Sequence, residues 1–164
     1  MSRILPNLYL GSWDQARDFK WLVNNKITHI LNTAGELENL FTPKFVYKHT
    51  PCRDINGYCI RIYFDEMADF IHEALQKGAI LVHCYRGISR SCTAVIVYLL
   101  KYKNMDYTSA KKLCRSKRPI TNPNNGFVRQ IIEYEMSLIK QKRSYMIDTQ
   151  YKRPVTTEDV KLSQ

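Results

Sequence analysis

The sequence predicts a single α/β domain with a mostly parallel central β-sheet flanked by α-helices. The chain has 164 residues, of which 45% are hydrophobic, so it has the length and composition to bury one sizeable core. Short apolar runs of strand length alternate along it with amphipathic helical segments, which is the order of elements in a parallel sheet. Residues 79–82 form a continuous apolar run, as expected of a central strand buried on both faces.

The N-terminal part is predicted to form short strands and one helix. Strand-like runs bounded by turn residues cover residues 4–5, 8–10, 28–32 and 45–47. Ser12 is suited to cap a helix that runs through Ala16 toward Val23.

The C-terminal part is predicted to be mainly helical. Between residues 60 and 76 the apolar residues share one helical face, and Gly78 ends that helix. Further helices are predicted at 89–102 and 107–116, and a last helix begins near Asn124 or Asn125. The apolar period fades near residue 141, so residues 1–141 are expected to form the domain and residues 142–164 a flexible basic tail.

The net charge of +10 points to an anionic partner, which could be phosphate, nucleic acid or an acidic membrane surface. The densest group of cations, called the basic cluster below, has no acidic residue within it and consists of Lys111, Lys112, Arg115, Lys117 and Arg118. A plain solvated helix face explains such a run equally well.

Five cysteines without a CxxC pair predict neither a disulfide framework nor a structural zinc site, and no cofactor is expected. The start of the chain has no signal-peptide pattern, and its longest apolar run, near residues 94–100, is too short to span a bilayer. These features predict a cytoplasmic protein. An additional nuclear location is compatible with the same features.

The segment from His83 to Ser91 concentrates the chemistry. Cys84 follows the predicted central strand and faces the start of a helix, the edge at which open α/β sheets bind ligands. Loop N–H groups and the helix dipole would attract an anion and stabilise a thiolate. Arg90 adds a planar fork that matches two phosphate oxygens. Together these groups suit transfer of a phosphoryl group to sulfur.

The string His83-Cys84-x5-Arg90-Ser91 resembles the signature of cysteine-dependent protein phosphatases, specifically the small dual-specificity group. The resemblance extends from about residue 3 to about residue 139. It includes Leu8-Tyr9-Leu10-Gly11, the strand at 27–32, and the motif Arg118-Pro119-x3-Pro123-Asn124-x2-Phe127 before the last helix. It implies the cysteine-dependent phosphatase fold and hydrolysis of phosphotyrosine and phosphoserine or phosphothreonine in phosphoprotein substrates.

The resemblance also implies a role for each site residue. Cys84 would form a phosphocysteine that water then hydrolyses. The oxygens of the phosphoryl group would be held by the phosphate-binding loop of Tyr85, Arg86, Gly87, Ile88, Ser89 and Arg90. Ser91 would assist departure of the sulfur, while His83 and Asn124 would support the loop.

The proton for the leaving oxygen has several candidate donors. Asp54 lies in a loop after a strand-like segment and matches the position of the family's general acid. Asp65, Glu66 and Asp69 lie within a predicted amphipathic helix and are expected to be surface residues.

Several questions stay open at the level of sequence. Arg86 occupies a position where many relatives have a small or acidic residue, and it would favour acidic substrates if it faces the pocket. The chain could instead be a catalytically weak phosphoprotein-binding module, or act on phosphoinositides or RNA 5′ phosphates, although no RNA-recognition pattern is visible and nucleic acid is not an expected partner. No dedicated docking domain is recognisable. The basic cluster could bind an acidic substrate or an anionic membrane. On oxidation, Cys52 or Cys92 could form a disulfide with Cys84.

Overall fold

The computed structural model describes residues 2–151. Its strands are β1 (Ser2–Leu5), β2 (Leu8–Gly11), β3 (Ile27–Ala34), β4 (Val46–Cys52) and β5 (Ala79–His83). Its helices are α1 (Trp13–Ala16), α2 (Phe19–Asn24), α3 (Phe64–Lys77), α4 (Arg90–Lys103), α5 (Tyr107–Lys117) and α6 (Asn125–Tyr151), and a single 3₁₀ turn, Ile60–Tyr63, precedes α3.

The five strands form one sheet in the order β1-β2-β5-β3-β4. The β1–β2 pair is antiparallel, and β2, β5, β3 and β4 run parallel to one another. This arrangement confirms the predicted mostly parallel α/β domain. Because parallel strands end at the same edge, the residues that follow β3, β4 and β5 are brought together there.

The two faces of β5 bury its side chains in different parts of the core. Side chains alternate along a strand, so Ile80 and Val82 pack on one face, in the core that includes α3, α4, α5 and α6. Ala79 and Leu81 pack on the opposite face with Leu22 of α2. Burial on both faces explains why residues 79–82 are apolar without alternation.

The first predicted helix is divided into two. Ser12 and Gln15 form a capping box at the start of α1, and α1 then ends at Ala16. Asp18 starts α2 by accepting a hydrogen bond from the Trp21 N–H group (2.9 Å). Two side-chain caps within seven residues thus favour two short helices over the single helix that the apolar spacing predicted.

The last helix extends beyond the predicted end of the domain. Helix α6 runs to Tyr151, ten residues past the boundary expected at residue 141, so residues 142–151 are helical where a flexible tail was expected. The remainder of that predicted tail, residues 152–164, lies outside the described residues. Among residues 2–151, none of the helices combines the length and the apolar character needed to cross a membrane.

His83, the last residue of β5, is an ionisable group enclosed by the fold. Its side chain is 1% exposed, and its ring lies 6.2 Å from the Trp13 ring between centroids. Its Nδ1 atom has no hydrogen-bond partner among the described residues. Burial lowers the pKa of His83 to about 4, so the imidazole is neutral at pH 7.

The stability of the fold should therefore decrease in mild acid. The unfolded chain binds a proton at His83 below its ordinary pKa of about 6.5, whereas the folded protein does so only near pH 4. Between these pH values the unfolded state binds more protons than the folded state. The free energy of unfolding is therefore about 2 kcal/mol lower at pH 5 than at pH 7. Urea unfolding at the two pH values measures this loss.

The variant His83→Asn should show a smaller difference between pH 7 and pH 5 than the wild-type protein. The same substitution at His72, a half-buried residue of α3 that is not among the groups shifting the pKa of His83, is the matched control and should retain the wild-type difference. An equal pH dependence in wild type and His83→Asn would contradict the assignment.

Candidate active site

Cys84 lies at the centre of the loop that joins β5 to α4. Its side chain is 2% exposed. The Gly87 N–H group donates a hydrogen bond to Cys84 Sγ (3.2 Å), and Ser91 Oγ lies 3.2 Å from the same sulfur. A backbone amide, a hydroxyl and the N-terminal end of α4 therefore all face the sulfur and place hydrogen-bond donors and a positive helix end around it.

The carbonyl groups of this loop are turned away from the sulfur. Residues 85–88 each accept a hydrogen bond at their carbonyl oxygen from a group outside the loop. In chain order the donors are Trp13 N–H (3.0 Å), Arg118 Nη2 (3.1 Å), Arg118 Nε (2.8 Å) and Asn122 N–H (2.9 Å). Since the N–H and C=O of a trans peptide point in opposite directions, the N–H groups of residues 86–89 are directed toward the inside of the loop. This forms an anion-binding nest above the sulfur.

Gly87 is required at the tightest point of the loop. Its φ of +66° lies in the left-handed region that favours glycine. A Cβ atom there would lie 2.5 Å from the Gly11 carbonyl oxygen and 2.8 Å from Arg118 Nη2. Any side chain would thus push the loop away from β2 and from its arginine.

Arg90 is held by one edge of its guanidinium and keeps another edge free. Nη1 and Nη2 each donate to a different carboxylate oxygen of Glu36 (both 2.7 Å), and Nη1 also donates to the Cys52 carbonyl (3.1 Å). Nε is buried and has no partner among the described residues. Of the five N–H groups, those left are Nε–H and one on Nη2, which form the side-on fork that fits two phosphate oxygens.

Glu36 is the functional residue that the sequence analysis missed. The turn that carries it is shaped by Asn32, whose Nδ2 donates to the Leu37 carbonyl (2.9 Å) and whose Oδ1 accepts from Ala34 N–H (3.0 Å). The hydrogen bond from Arg90 lowers the pKa of Glu36, so the carboxylate stays ionised. One signal could have indicated it, because Glu36 follows the carboxyl end of β3, the strand adjacent to β5.

Asp54 reaches the pocket on a loop that rests against the start of α6. Asn124 Nδ2 donates to Asp54 Oδ1 (2.9 Å), and Asn124 N–H donates to Ser89 Oγ (3.0 Å). Asn124 Oδ1 also accepts from Phe127 N–H (2.9 Å), which caps α6. Asn124 thus links Asp54, the phosphate-binding loop and a helix terminus through three different atoms.

The carboxylates of α3 are directed elsewhere. Lys101 Nζ donates to Asp65 (2.8 Å) and to Asp69 (2.7 Å), and Glu66 pairs with Lys48 (2.8 Å). The cleft above the sulfur encloses about 180 Å³ and is lined by Glu36, Asp54, Cys84, Tyr85, Arg86, Ile88, Ser89 and Arg90. Among the described residues that line it, the two carboxylates are Asp54 and Glu36, and Glu36 is already bound by Arg90. In residues 2–151 no group of three or more His, Cys, Asp or Glu side chains could hold a metal ion.

One member of the predicted basic cluster is not a surface residue. Lys112, Arg115 and Lys117 are exposed and Lys111 is half-buried, as a solvated helix face requires. Arg118 is 9% exposed, and its guanidinium donates to the carbonyls of Arg86 and Gly87. Its assignment to an anion-attracting surface was wrong, because the loop carbonyls bind it inside the protein.

The remaining cysteines differ from Cys84 in their surroundings. All five are free thiols. Burial raises the pKa of Cys52 to about 12. A hydrogen bond with Cys114, together with burial, raises the pKa of Cys92 well above its ordinary value. Cys52 and Cys92 therefore remain protonated at neutral pH and are poor nucleophiles.

Comparisons with known proteins agree with this geometry. Residues 8–137 match the family model described as dual specificity phosphatase, catalytic domain. The mouse "Dual specificity protein phosphatase 14" is 39% identical over 152 residues, covering 92% of this chain and 77% of the relative. The crystal structure of DUSP15 has a TM-score of 0.80 at 36% identity, covering 88% of this chain and 93% of that one. The human tyrosine phosphatase-like serine/threonine/tyrosine-interacting protein has a TM-score of 0.79 at 34% identity, covering 85% and 97%. The chain therefore belongs to the dual-specificity phosphatase family.

Proposed function

We propose that this chain hydrolyses phosphotyrosine, phosphoserine and phosphothreonine residues of proteins through a phosphocysteine at Cys84. The observation that carries the proposal is the position of Cys84 Sγ below inward-facing amides and beside the free edge of Arg90. A phosphoryl group above the sulfur would find a donor for each of its three equatorial oxygens. Its loose transition state needs this positioning and charge stabilisation more than it needs further covalent chemistry.

In the first step the Cys84 thiolate attacks phosphorus. A sulfur–phosphorus bond forms, the bond from phosphorus to the leaving oxygen breaks, and protonated Asp54 gives its proton to that oxygen. The hydrogen bond from Asn124 to Asp54 supports this role, since it leaves the second carboxyl oxygen for the substrate.

In the second step water attacks the phosphocysteine. The Asp54 carboxylate accepts a proton from the water, and the sulfur–phosphorus bond breaks as phosphate is released. The Ser91 hydroxyl, 3.2 Å from Cys84 Sγ, would donate a hydrogen bond to the departing thiolate. These roles suit an enzyme that works with no metal ion.

The composition of the cleft supports action on both aromatic and aliphatic phosphoesters. Tyr85 is the single aromatic residue among those lining it, and its side chain is 55% exposed. The walls thus contain no pair of aromatic residues that would require a phenyl ring between them.

A catalytically weak phosphoprotein-binding module is the alternative function. One structural neighbour is named as a tyrosine phosphatase-like interacting protein, and fold alone does not decide activity. The presence of a thiol, a general acid and a free arginine edge in one cleft favours the enzyme.

For location we propose the cytoplasm or nucleus, where five free thiols would stay reduced. For the exposed part of the basic cluster we propose salt-dependent attraction of acidic substrates or an anionic membrane.

The variant Cys84→Ser should lose turnover because a hydroxyl is a much weaker nucleophile than a thiolate. We expect p-nitrophenyl phosphate hydrolysis to fall by about 10³-fold or more. Binding of a phosphopeptide, measured by fluorescence anisotropy, should persist. Cys59→Ser changes an exposed cysteine and should behave as wild type. Hydrolysis by Cys84→Ser within tenfold of wild type would refute the phosphocysteine mechanism.

The variant Asp54→Asn should slow the first step most for substrates with a poor leaving group. We expect a loss of about 10²-fold or more in kcat/KM with a phosphoserine peptide and a smaller loss with p-nitrophenyl phosphate, whose leaving oxygen needs little protonation. The limb of the pH–rate profile that requires a protonated acid should flatten. The control Glu66→Gln removes a carboxylate of α3 and should keep the wild-type profile. The same result in both variants would argue against Asp54.

The variant Glu36→Gln should disorder the Arg90 side chain, because a neutral amide replaces one charged hydrogen bond and offers a donor against the other. We expect kcat/KM to fall by about 10- to 100-fold for aryl and alkyl substrates alike. Glu38→Gln, two residues further along the same loop and exposed, is the control. Unchanged kinetics in Glu36→Gln would show that Arg90 needs no carboxylate to hold it.

A further inference from the structure

A second cleft adjoins the catalytic one. It encloses about 410 Å³ and is lined by Ser12, Trp13, Asp14, Arg17, Tyr85 and Arg86. Tyr85 and Arg86 also line the catalytic cleft, so these two residues form the wall between the two. A polypeptide with its phosphate above Cys84 therefore has residues close in its sequence to the phosphorylated one beside this shared wall, since an extended chain advances about 3.3–3.6 Å per residue.

The cleft contains one positive charge that is available to a ligand. Arg17 is paired with Asp14 (2.8 Å), and both are mostly exposed. Arg86 is exposed, and none of the ion pairs formed by the side chains that the structure describes involves it. The charges of the three residues leave a surplus of one cation, located at the wall that both clefts share.

The backbone that carries Arg86 is rigid. The Trp13 N–H group holds the carbonyl of Tyr85, and the Arg118 guanidinium holds the carbonyl of Arg86 itself. The guanidinium of Arg86 is thus presented from a fixed point, and binding an anion restricts its side chain alone.

We propose that this second cleft is a specificity subsite in which Arg86 binds an acidic side chain of the substrate polypeptide, located within about three residues of the phosphorylated residue. The proposal rests on the proposed function and adds the class of substrate to it. The ligand chemistry is a carboxylate or a second phosphate, either of which accepts hydrogen bonds from a guanidinium. Trp13 and Tyr85 provide aromatic walls against which neighbouring peptide side chains can pack.

A phosphoinositide headgroup fits this cleft less well. Such a headgroup carries several phosphates, whereas the cleft has one free cation and includes the Asp14 carboxylate, which repels anions. An acidic peptide with one additional negative charge matches the surplus of one cation.

The test compares peptides that differ in a single charge. One phosphotyrosine peptide is made with Gln, Glu or phosphothreonine at each position from three residues before to three residues after the phosphotyrosine. For the best position we expect wild-type kcat/KM to be about three- to tenfold higher with Glu than with Gln, and higher again with phosphothreonine. This preference should shrink as ionic strength rises.

For each variant we compare kcat/KM with the Glu peptide to kcat/KM with the Gln peptide. This Glu-to-Gln ratio is independent of any general loss of activity, because such a loss lowers both values by the same factor. Arg86→Gln should bring the ratio close to one, and Arg86→Glu should invert it. Arg129→Gln removes an exposed cation of α6 that lines neither cleft and should retain the wild-type ratio.

Each other outcome has a defined meaning. Equal turnover of all peptides by the wild type, or a ratio that survives in Arg86→Gln, would overturn the subsite while leaving the phosphatase intact. Absence of Cys84-dependent turnover of every peptide would instead refute the proposed function. Arg86-dependent hydrolysis of a soluble phosphoinositide at a higher kcat/KM than any peptide would overturn the peptide as the occupant.

Discussion

In the loop between β5 and α4, a peptide plane can direct its N–H group inward only while its carbonyl oxygen is held outward. Four such carbonyls in succession are bound by Trp13, Arg118 and Asn122, which belong to or flank three separate helices. The anion-binding property of the loop thus depends on donors behind it. Without these donors, the carbonyl oxygens would be free to turn toward the inside of the loop, where they would repel an anion.

Arg90 depends on an analogous division of its hydrogen bonds. Glu36 and the Cys52 carbonyl, from the ends of β3 and β4, take three of its N–H groups and leave a two-donor edge beside the sulfur. The parallel sheet makes this arrangement available, since β3, β4 and β5 all end at the same edge. The same edge receives the Asp54 loop, which α6 holds through Asn124.

The high net charge of the chain separates into contributions with different physical roles. Arg118 has a structural role, because its guanidinium donates hydrogen bonds to loop carbonyls inside the protein. Arg90 is held for the phosphoryl group, and Arg86 is exposed at the rim of the same cleft. Lys112, Arg115 and Lys117 are exposed on α5 and line neither cleft, and salt screens exposed charges of this kind. The total of +10 therefore says little about the site, whereas the different surroundings of Arg118, Arg90 and Arg86 describe it well.

The sequence by itself determined the fold class and the segment from His83 to Ser91, since both rest on local patterns: apolar periodicity, and a turn that joins a buried strand to a helix. Helix lengths were less well predicted, because caps such as Asp18 compete with periodicity. Only the tertiary structure decided which distant groups complete the site. Glu36 and Arg90 are separated by 54 residues, Arg118 and Gly87 by 31, and Asn124 and Asp54 by 70. Such pairs leave no spacing rule in the chain, because the order and direction of the strands, and not sequence distance, bring them together.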